Sequence, residues 1–330
     1  MLDAMSGPAD PADPNSQSKD GALRILLDCD PGHDDVIAIV VAARHTEMVG
    51  ITTVAGNAPL EQTTHNTLVL RDMLGLDVAV HSGADRPLDR DLEAAPDIHG
   101  VSGLDGADLP VPTTPLDGTD AVRFIIDSCH EHDGLWLVPT GPLTNIALAL
   151  RSDPSIARRV AGISLMGGGS FGNRTAVGEF NIWGDPEAAA EVFACGAPIV
   201  MAGLDVTHRF RATPQRIERL RQVGGTLAVT LADLLVFFSD MYRAAHDEGS
   251  IDGAAIHDPL AVLALTHPEL FTRAARHVAV ETNGRLTRGM TVIDERRVVH
   301  RLAANTDVLT SVDAAQAFDI VVEAVEHFTP

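Results

Sequence analysis

Four carboxylates fall within eight residues, Asp28, Asp30, Asp34 and Asp35, in the stretch 24–35 that reads RILLDCDPGHDD. Like charges packed this closely repel, and in a crevice shielded from water the repulsion either raises pKa values or recruits a cation. The segment brings no organic cation of its own, since no Lys or Arg stands between Arg24 and Arg44. One or two acids at a helix start would be ordinary, because negative charge there is stabilising by about 0.3–1 kcal/mol. Four of them at the carboxyl end of a strand point to a hard cation held by oxygen.

Further polar residues recur at strand ends and helix starts: Asn57, Thr140, Asn173, Glu179, Asn181, His257 and Asp258. Singly, each has a plain explanation. Asn57 after Gly56 suits a turn, and His257 suits a helix cap. Glu179 and Asn181 suit a surface loop, although Phe180, Ile182 and Trp183 beside them argue that the loop is packed down. Cys29 stands between aspartates that disfavour its thiolate, so it is no nucleophile. Gly167, Gly168 and Gly169 resemble a phosphate loop but lack its lysine and spacing.

The elements that must position these residues alternate. Ile25, Leu26 and Leu27 form the unbroken apolar run of a strand buried on both faces, and Pro31-Gly32 ends it. An apolar helix follows over 36–45, then a strand over 48–54, a helix over 60–74 and a strand over 78–80. Residues 81–118 are rich in Gly, Pro and Asp without a period, and read as a functional or mobile lid. Helix 119–130, strand 135–138, helix 143–150, strand 163–166, a polar loop over 172–183, helix 185–195 and strand 199–202 continue the pattern. Beyond Asp205 an amphipathic helix carries Leu227, Leu231, Leu234, Leu235, Phe238, Met241 and Tyr242 on one face. His257-Asp258-Pro259 opens another helix, 278–280 and 290–293 read as a strand pair, and 314–327 is a closing helix. The prediction is a single α/β domain over 23–330, with a mostly parallel, doubly wound (Rossmann-like) central sheet flanked by helices. Extra C-terminal helices and the short strand pair complete it. Residues 1–22, rich in Pro, Asp, Ser and Ala, read as a disordered leader.

The chain has 330 residues, with 46 acidic against 24 basic side chains and a formal net charge of −22. That charge disfavours nucleic acid and anionic membranes. No apolar run reads as long enough for a membrane span. Cys29, Cys129 and Cys195 are too scattered for a disulfide framework or a CxxC metal site, which fits a reducing cytoplasm.

Five blocks in order, LLDCDPGHDD, TTVAGN, LVPTGPLTNIALAL, LMGGG with GEFNIWGDPEAA, and IHDP, resemble the inosine-uridine nucleoside hydrolase family. The likeness runs from about Arg24 to the C-terminus. It implies a Ca²⁺-dependent ribonucleoside N-glycosidase that splits uridine, inosine or a related nucleoside into ribose and base. The resemblance implies Ca²⁺ ligands at Asp30, Asp35, the carbonyl of Thr140 and Asp258. It implies ribose contacts from Asp34, Asn57, Asn173, Glu179 and Asn181. Asp30 would take the proton of a metal-bound attacking water, and His257 would protonate the leaving base after an oxocarbenium-like transition state. His99, in IHGVSGLDG, would touch the base, while His33 points outward from its turn; both patterns lean toward pyrimidines or a broad range. Tyr242 and His246 stand near the place where relatives contact the base, without matching it. The family also implies a homodimer or homotetramer.

Two rivals remain to be weighed. An aspartyl phosphatase of the haloacid dehalogenase type needs a lysine after its DxD motif, and Lys19, the only lysine, precedes it. A non-catalytic nucleoside sensor would keep the metal and sugar site, but would need neither Asp30 as a base nor His257 as an acid.

Overall fold

The computed structural model describes residues 22–245, 252–296, 298 and 302–329. Residues 1–21 of the expected leader, and His246, lie outside them. The strands are β1 (Arg24–Cys29), β2 (Glu47–Thr53), β3 (Ala79–Ser82), β4 (Trp136–Pro139), β5 (Gly162–Met166), β6 (Ile199–Ala202), β7 (Phe271–Arg276), β8 (Val278–Val280), β9 (Thr291–Ile293) and β10 (Thr306–Val312). The helices of the first half are α1 (His33–His45), α2 (Leu60–Leu74), α3 (Pro96–His99), α4 (Ala121–Glu131) and α5 (Thr144–Ser152). Those of the second are α6 (Phe180–Gly184), α7 (Pro186–Ala194), α8 (Leu204–Thr207), α9 (Pro214–Val223), α10 (Gly225–Ala245), α11 (Pro259–Thr266) and α12 (Ala314–His327).

Eight strands make one sheet in the order β3-β2-β1-β4-β5-β6-β10-β7, and β8 and β9 pair antiparallel beside it. Within the large sheet the paired neighbours are parallel except β10 with β7. The chain lays β2 and β3 on one side of β1, then returns to lay β4, β5 and β6 on the other. Such a reversal opens a crevice beyond the carboxyl ends of the strands, where open α/β sheets take their ligands. Asp30 leaves β1, and Thr140 leaves β4, at that crevice. The topology therefore delivers the acidic turn to a binding position.

Burial on both faces explains the apolar run of β1. Ile25, Leu27 and Cys29 point into the layer built from α1, α10, α11 and α12, and Leu26 points into the layer of α4, α5 and α7. Helix α1 is enclosed, with every residue from His33 to Ala42 buried, and so is apolar on every side.

The structure adds β7 and β10, which the sequence pattern does not reveal. β7 reads FTRAAR and forms a sheet edge, where Arg273 and Arg276 guard against edge pairing and mask the strand signal. Four helices, α3, α6, α8 and α9, replace expected irregular chain. Helix α10 is also a correction. At 21 residues and a mean hydropathy of 1.3 it is long and apolar enough to cross a membrane by composition alone. More than half of that window is buried inside the protein, with Leu227, Leu231, Leu235 and Phe238 in the core, so its composition is that of a core helix.

Nor is the stretch 81–118 a free lid. Arg71 on α2, only 3% exposed, donates to the carbonyls of Thr114 (2.9 Å) and Pro115 (2.7 Å) and pairs with Asp117 at 2.7 Å. Arg71→Ala is expected to lower the free energy of unfolding by on the order of 3 kcal/mol, since three bonds to a buried charge vanish together. Urea titration reads this directly, and an unchanged midpoint would show that the loop is held by other contacts.

Candidate active site

The turn after β1 folds the acids inward. Gly32 begins α1, and its N–H donates to Asp35 Oδ2 at 2.9 Å, so one carboxylate caps the helix from inside its first turn. Asp35 Oδ1 accepts the Thr140 hydroxyl at 2.7 Å, tying the end of β4 to the start of α1. Asp30 Oδ2 accepts the Asn57 N–H at 2.7 Å, while Oδ1 is buried without a hydrogen-bond partner. The neighbouring turns close on this carboxylate because they carry no side chain. A Cβ at Gly56 would lie 2.0 Å from Asp30 Oδ2, and one at Gly141 would lie 2.6 Å from Oδ1. Asp34 Oδ2 accepts the His257 N–H at 3.2 Å, bringing the start of α11 to the same place. Asp34, Asp35 and Asp258 each offer a carboxylate oxygen within 4.8 Å of the others.

Burial sets the electrostatics. It raises Asp30 and Asp258 well above the ordinary carboxylate range, with neighbouring acids adding to the effect: Asp35 first for Asp30, Asp34 first for Asp258. Burial and then Asp35 push Asp34 up to about 7. Burial raises Asp35 as well, against the Gly32 N–H and the Thr140 hydroxyl. Beneath them Asp28 is pushed up to about 7 by burial, although Asn145 and Thr52 donate to it at 2.8 and 2.6 Å. Crowded acids of this kind hold protons unless a cation replaces them. The donors are all carboxylate or carbonyl oxygens, and one buried oxygen stands unpartnered, so the site fits a hard divalent ion and not a thiophilic one.

Around this cluster lies one cavity, lined among others by Asp34, Asn57, His99, Thr140, Asn173, Glu179, Asn181, His257 and Asp258. Asp30 and Asp35 have no exposed surface and lie behind this lining, bonded to Asn57 and Thr140 of it. Ile98, Phe238 and Tyr242 add apolar surface to a lining otherwise rich in amides and acids. Polar groups and apolar rings in one cavity are what a sugar joined to an aromatic base requires.

The profile of the inosine-uridine preferring nucleoside hydrolases matches residues 25–319. The chain belongs to this family. Pyrimidine-specific ribonucleoside hydrolase RihA from Enterobacter sp. strain 638 is 43% identical over 313 residues, covering 93% of this chain and 99% of the relative. RihA from Escherichia coli strain SMS-3-5 is 42% identical with the same coverage. Among solved structures, a purine-preferring ribonucleoside hydrolase from Gardnerella vaginalis superposes with a TM-score of 0.86 at 34% identity, covering 92% of this chain and 98% of its own. An inosine-guanosine nucleoside hydrolase gives 0.83 at 28%, again covering 92% and 98%. The chain is thus a hydrolase with a metal-competent acidic cluster.

Within this nucleoside hydrolase, the residues singled out from sequence converge, with differences of role. Asp34, not Asp30, joins Asp35 and Asp258 in the tight oxygen group. Thr140 is engaged through its hydroxyl as well as its backbone, whose carbonyl accepts the Asn181 amide at 2.7 Å. Glu179 spends its carboxylate on the N–H groups of Gly168, Asn181 and Ile182 at 2.9–3.0 Å, capping α6. Asn173 sits exposed at the rim, accepting the Phe180 N–H at 2.9 Å. His33 is a correction. It points inward, fully buried, with burial lowering its pKa to about 4. Sequence reasoning missed Thr207, whose Oγ1 lies 2.8 Å from His257 Nδ1, and Asn145, which holds Asp28. Asn145 left a usable signal as an amide on the buried face of an otherwise apolar helix, LTNIALAL.

Proposed function

We infer that the chain hydrolyses the N-glycosidic bond of ribonucleosides, pyrimidine ribonucleosides foremost, with Ca²⁺ as its cation. One observation carries this reading: three buried carboxylates gather at a cavity whose lining combines polar groups suited to a sugar with apolar rings suited to a base. The naming of the RihA relatives as pyrimidine-specific supports the base preference. Asp30, Asp35, Asp258 and the Thr140 carbonyl would hold Ca²⁺, with Asp34 adjacent. Bound there, the ion would orient the attacking water and the sugar hydroxyls and make the water more acidic.

The chain's own groups then divide the work. Asp30 Oδ1 takes the proton as the water oxygen adds to C1′ and the C1′–N bond breaks. Positive charge growing on the sugar ring is stabilised by the buried carboxylates around it. Asp34, Asn57, Asn173, Glu179 and Asn181 fix the sugar hydroxyls, which is orientation obtained before the reaction. His257 gives its proton to the departing base, and His99 and Tyr242 face that base. On the same reading the enzyme is a cytoplasmic homodimer or homotetramer, in keeping with three free cysteines.

Incubation with uridine, cytidine and inosine tests the assignment. Ribose and free base are expected, with higher kcat/KM for the pyrimidines. Tight binding without ribose release would instead identify a sensor. His257→Ala is expected to lower kcat about 100-fold with little change in KM, since protonation of the leaving group matters only as the bond breaks. An unchanged kcat would take His257 out of that role.

A further inference from the structure

His33 and His99 form a hydrogen-bonded pair, and the mechanism above gives His33 no part. His33 Nε2 lies 2.8 Å from the carbonyl oxygen of Asp105, and His33 Nδ1 lies 3.1 Å from His99 Nδ1. The His33 ring is sealed between Phe237 and Phe238, with centroids at 5.5 and 5.2 Å, and His99 stacks on Phe238 at 5.1 Å. His33 has no exposed surface, and His99 lines the cavity at 6% exposure.

Proton bookkeeping follows from these contacts. A carbonyl oxygen only accepts, so His33 carries its hydrogen on Nε2. With one proton per ring, His33 Nδ1 is then a lone pair. A nitrogen–nitrogen contact at 3.1 Å needs one hydrogen between the two atoms, and it must sit on His99 Nδ1. The other arrangement, with the His33 backbone N–H donating to a bare His99 Nδ1, is longer at 3.3 Å. It would also set that bare nitrogen against the His33 Nδ1 lone pair at 3.1 Å, a repulsion that only a second proton on the buried His33 ring would remove.

We propose that His33 is a positioning residue that locks His99 as its Nδ1–H tautomer, so that His99 turns an unprotonated Nε2 toward the nucleobase and selects bases offering an N–H group there. This rests on the reading that the cavity takes a ribonucleoside. A lone-pair nitrogen favours a ring N–H or an exocyclic amino group and repels a carbonyl oxygen at the same spot. The selected class is therefore nucleosides with a free N–H edge, such as uridine, against those in which that hydrogen is replaced by methyl. The asparagine-sized remnant of this function is the acceptor at the Nδ1 position, and the phenyl-sized remnant is the stacking.

Two variants separate these remnants, and a spectrum judges the tautomer without any assay. In ¹⁵N–¹H correlation spectra of the whole enzyme, assigned with His99→Gln, His99 is expected to show a protonated Nδ1 and a bare Nε2. His33→Phe keeps the stack and loses the acceptor, so His99 should become a tautomer mixture and kcat/KM for uridine should fall about 10-fold, the worth of one hydrogen bond. His33→Asn places an amide oxygen near the lost Nδ1 and should restore both. The preference for uridine over 3-methyluridine should shrink in His33→Phe and return in His33→Asn. A wild-type His99 protonated on Nε2 overturns the proposal, as does a methyl discrimination indifferent to His33. Absence of ribose release from every nucleoside would sink the assigned activity, yet the wild-type spectrum would still decide the tautomer.

Discussion

Asp30→Asn is expected to reduce ribose release by about 10³- to 10⁴-fold while leaving the protein folded. The amide is close in shape to the carboxyl, and its oxygen can continue to accept the Asn57 N–H now bound at 2.7 Å. What disappears is basicity at Oδ1, the buried oxygen left without a partner. Stability should not suffer, because burial already holds this carboxyl well above its ordinary pKa and the amide removes one of the mutually repelling acids. Steady-state ribose assays and thermal melts on the same preparation check both halves. Turnover within tenfold of the wild type would deny Asp30 the base role and turn attention to Asp34, which the structure sets among the tight oxygen group. A variant that fails to fold would show instead that Asp30 is a structural acid.

The sheet was legible wherever one physical demand dominated. β1 had to be buried on both faces, and its unbroken Ile25-Leu26-Leu27 run says so. The bounds of α2 and α12 match the expected ones because Gly75 ends the first in a left-handed turn and Asp313 caps the second. β7 was hidden because an edge strand carries arginines for protection, which erases alternation. The acids of the site could be read because four carboxylates in eight residues conflict with local stability unless something compensates. His33 could not. Nothing in GHDD tells that its ring will turn inward, because its partners, His99 and Asp105, stand 66 and 72 residues away in a stretch without a period. Thr207 was invisible for a similar reason: it reaches His257 from fifty residues away, on a four-residue helix without a sequence period.

Removing divalent cations with a chelator is expected to abolish ribose release and to destabilise the protein more at pH 8 than at pH 5. The folded chain holds Asp28 and Asp34 at about 7 and Asp30 and Asp258 higher still, chiefly through burial. In the unfolded chain the same groups ionise near their ordinary value of about 3.9. Between those limits the cation-free folded state binds more protons than the unfolded one, so its stability falls as pH rises through the window. A bound cation takes the place of the protons and removes that dependence. At a free concentration 100-fold above its dissociation constant it adds about 2.7 kcal/mol of stability, which for a domain of this size raises the melting temperature by about 4 °C. Melting curves at pH 5 and pH 8, with chelator and then with Ca²⁺, Mg²⁺ or Mn²⁺ restored, measure the effect and rank the ions. Recovery of activity and of the melting temperature is expected to be greatest with Ca²⁺, whose flexible coordination by six to eight oxygens suits a cluster of acids and one carbonyl better than strict octahedral Mg²⁺. Melting curves at pH 8 that coincide with and without cation would mean that the acids are reconciled by protons alone, and the hydrolytic reading would lose the ion that holds its water and its sugar.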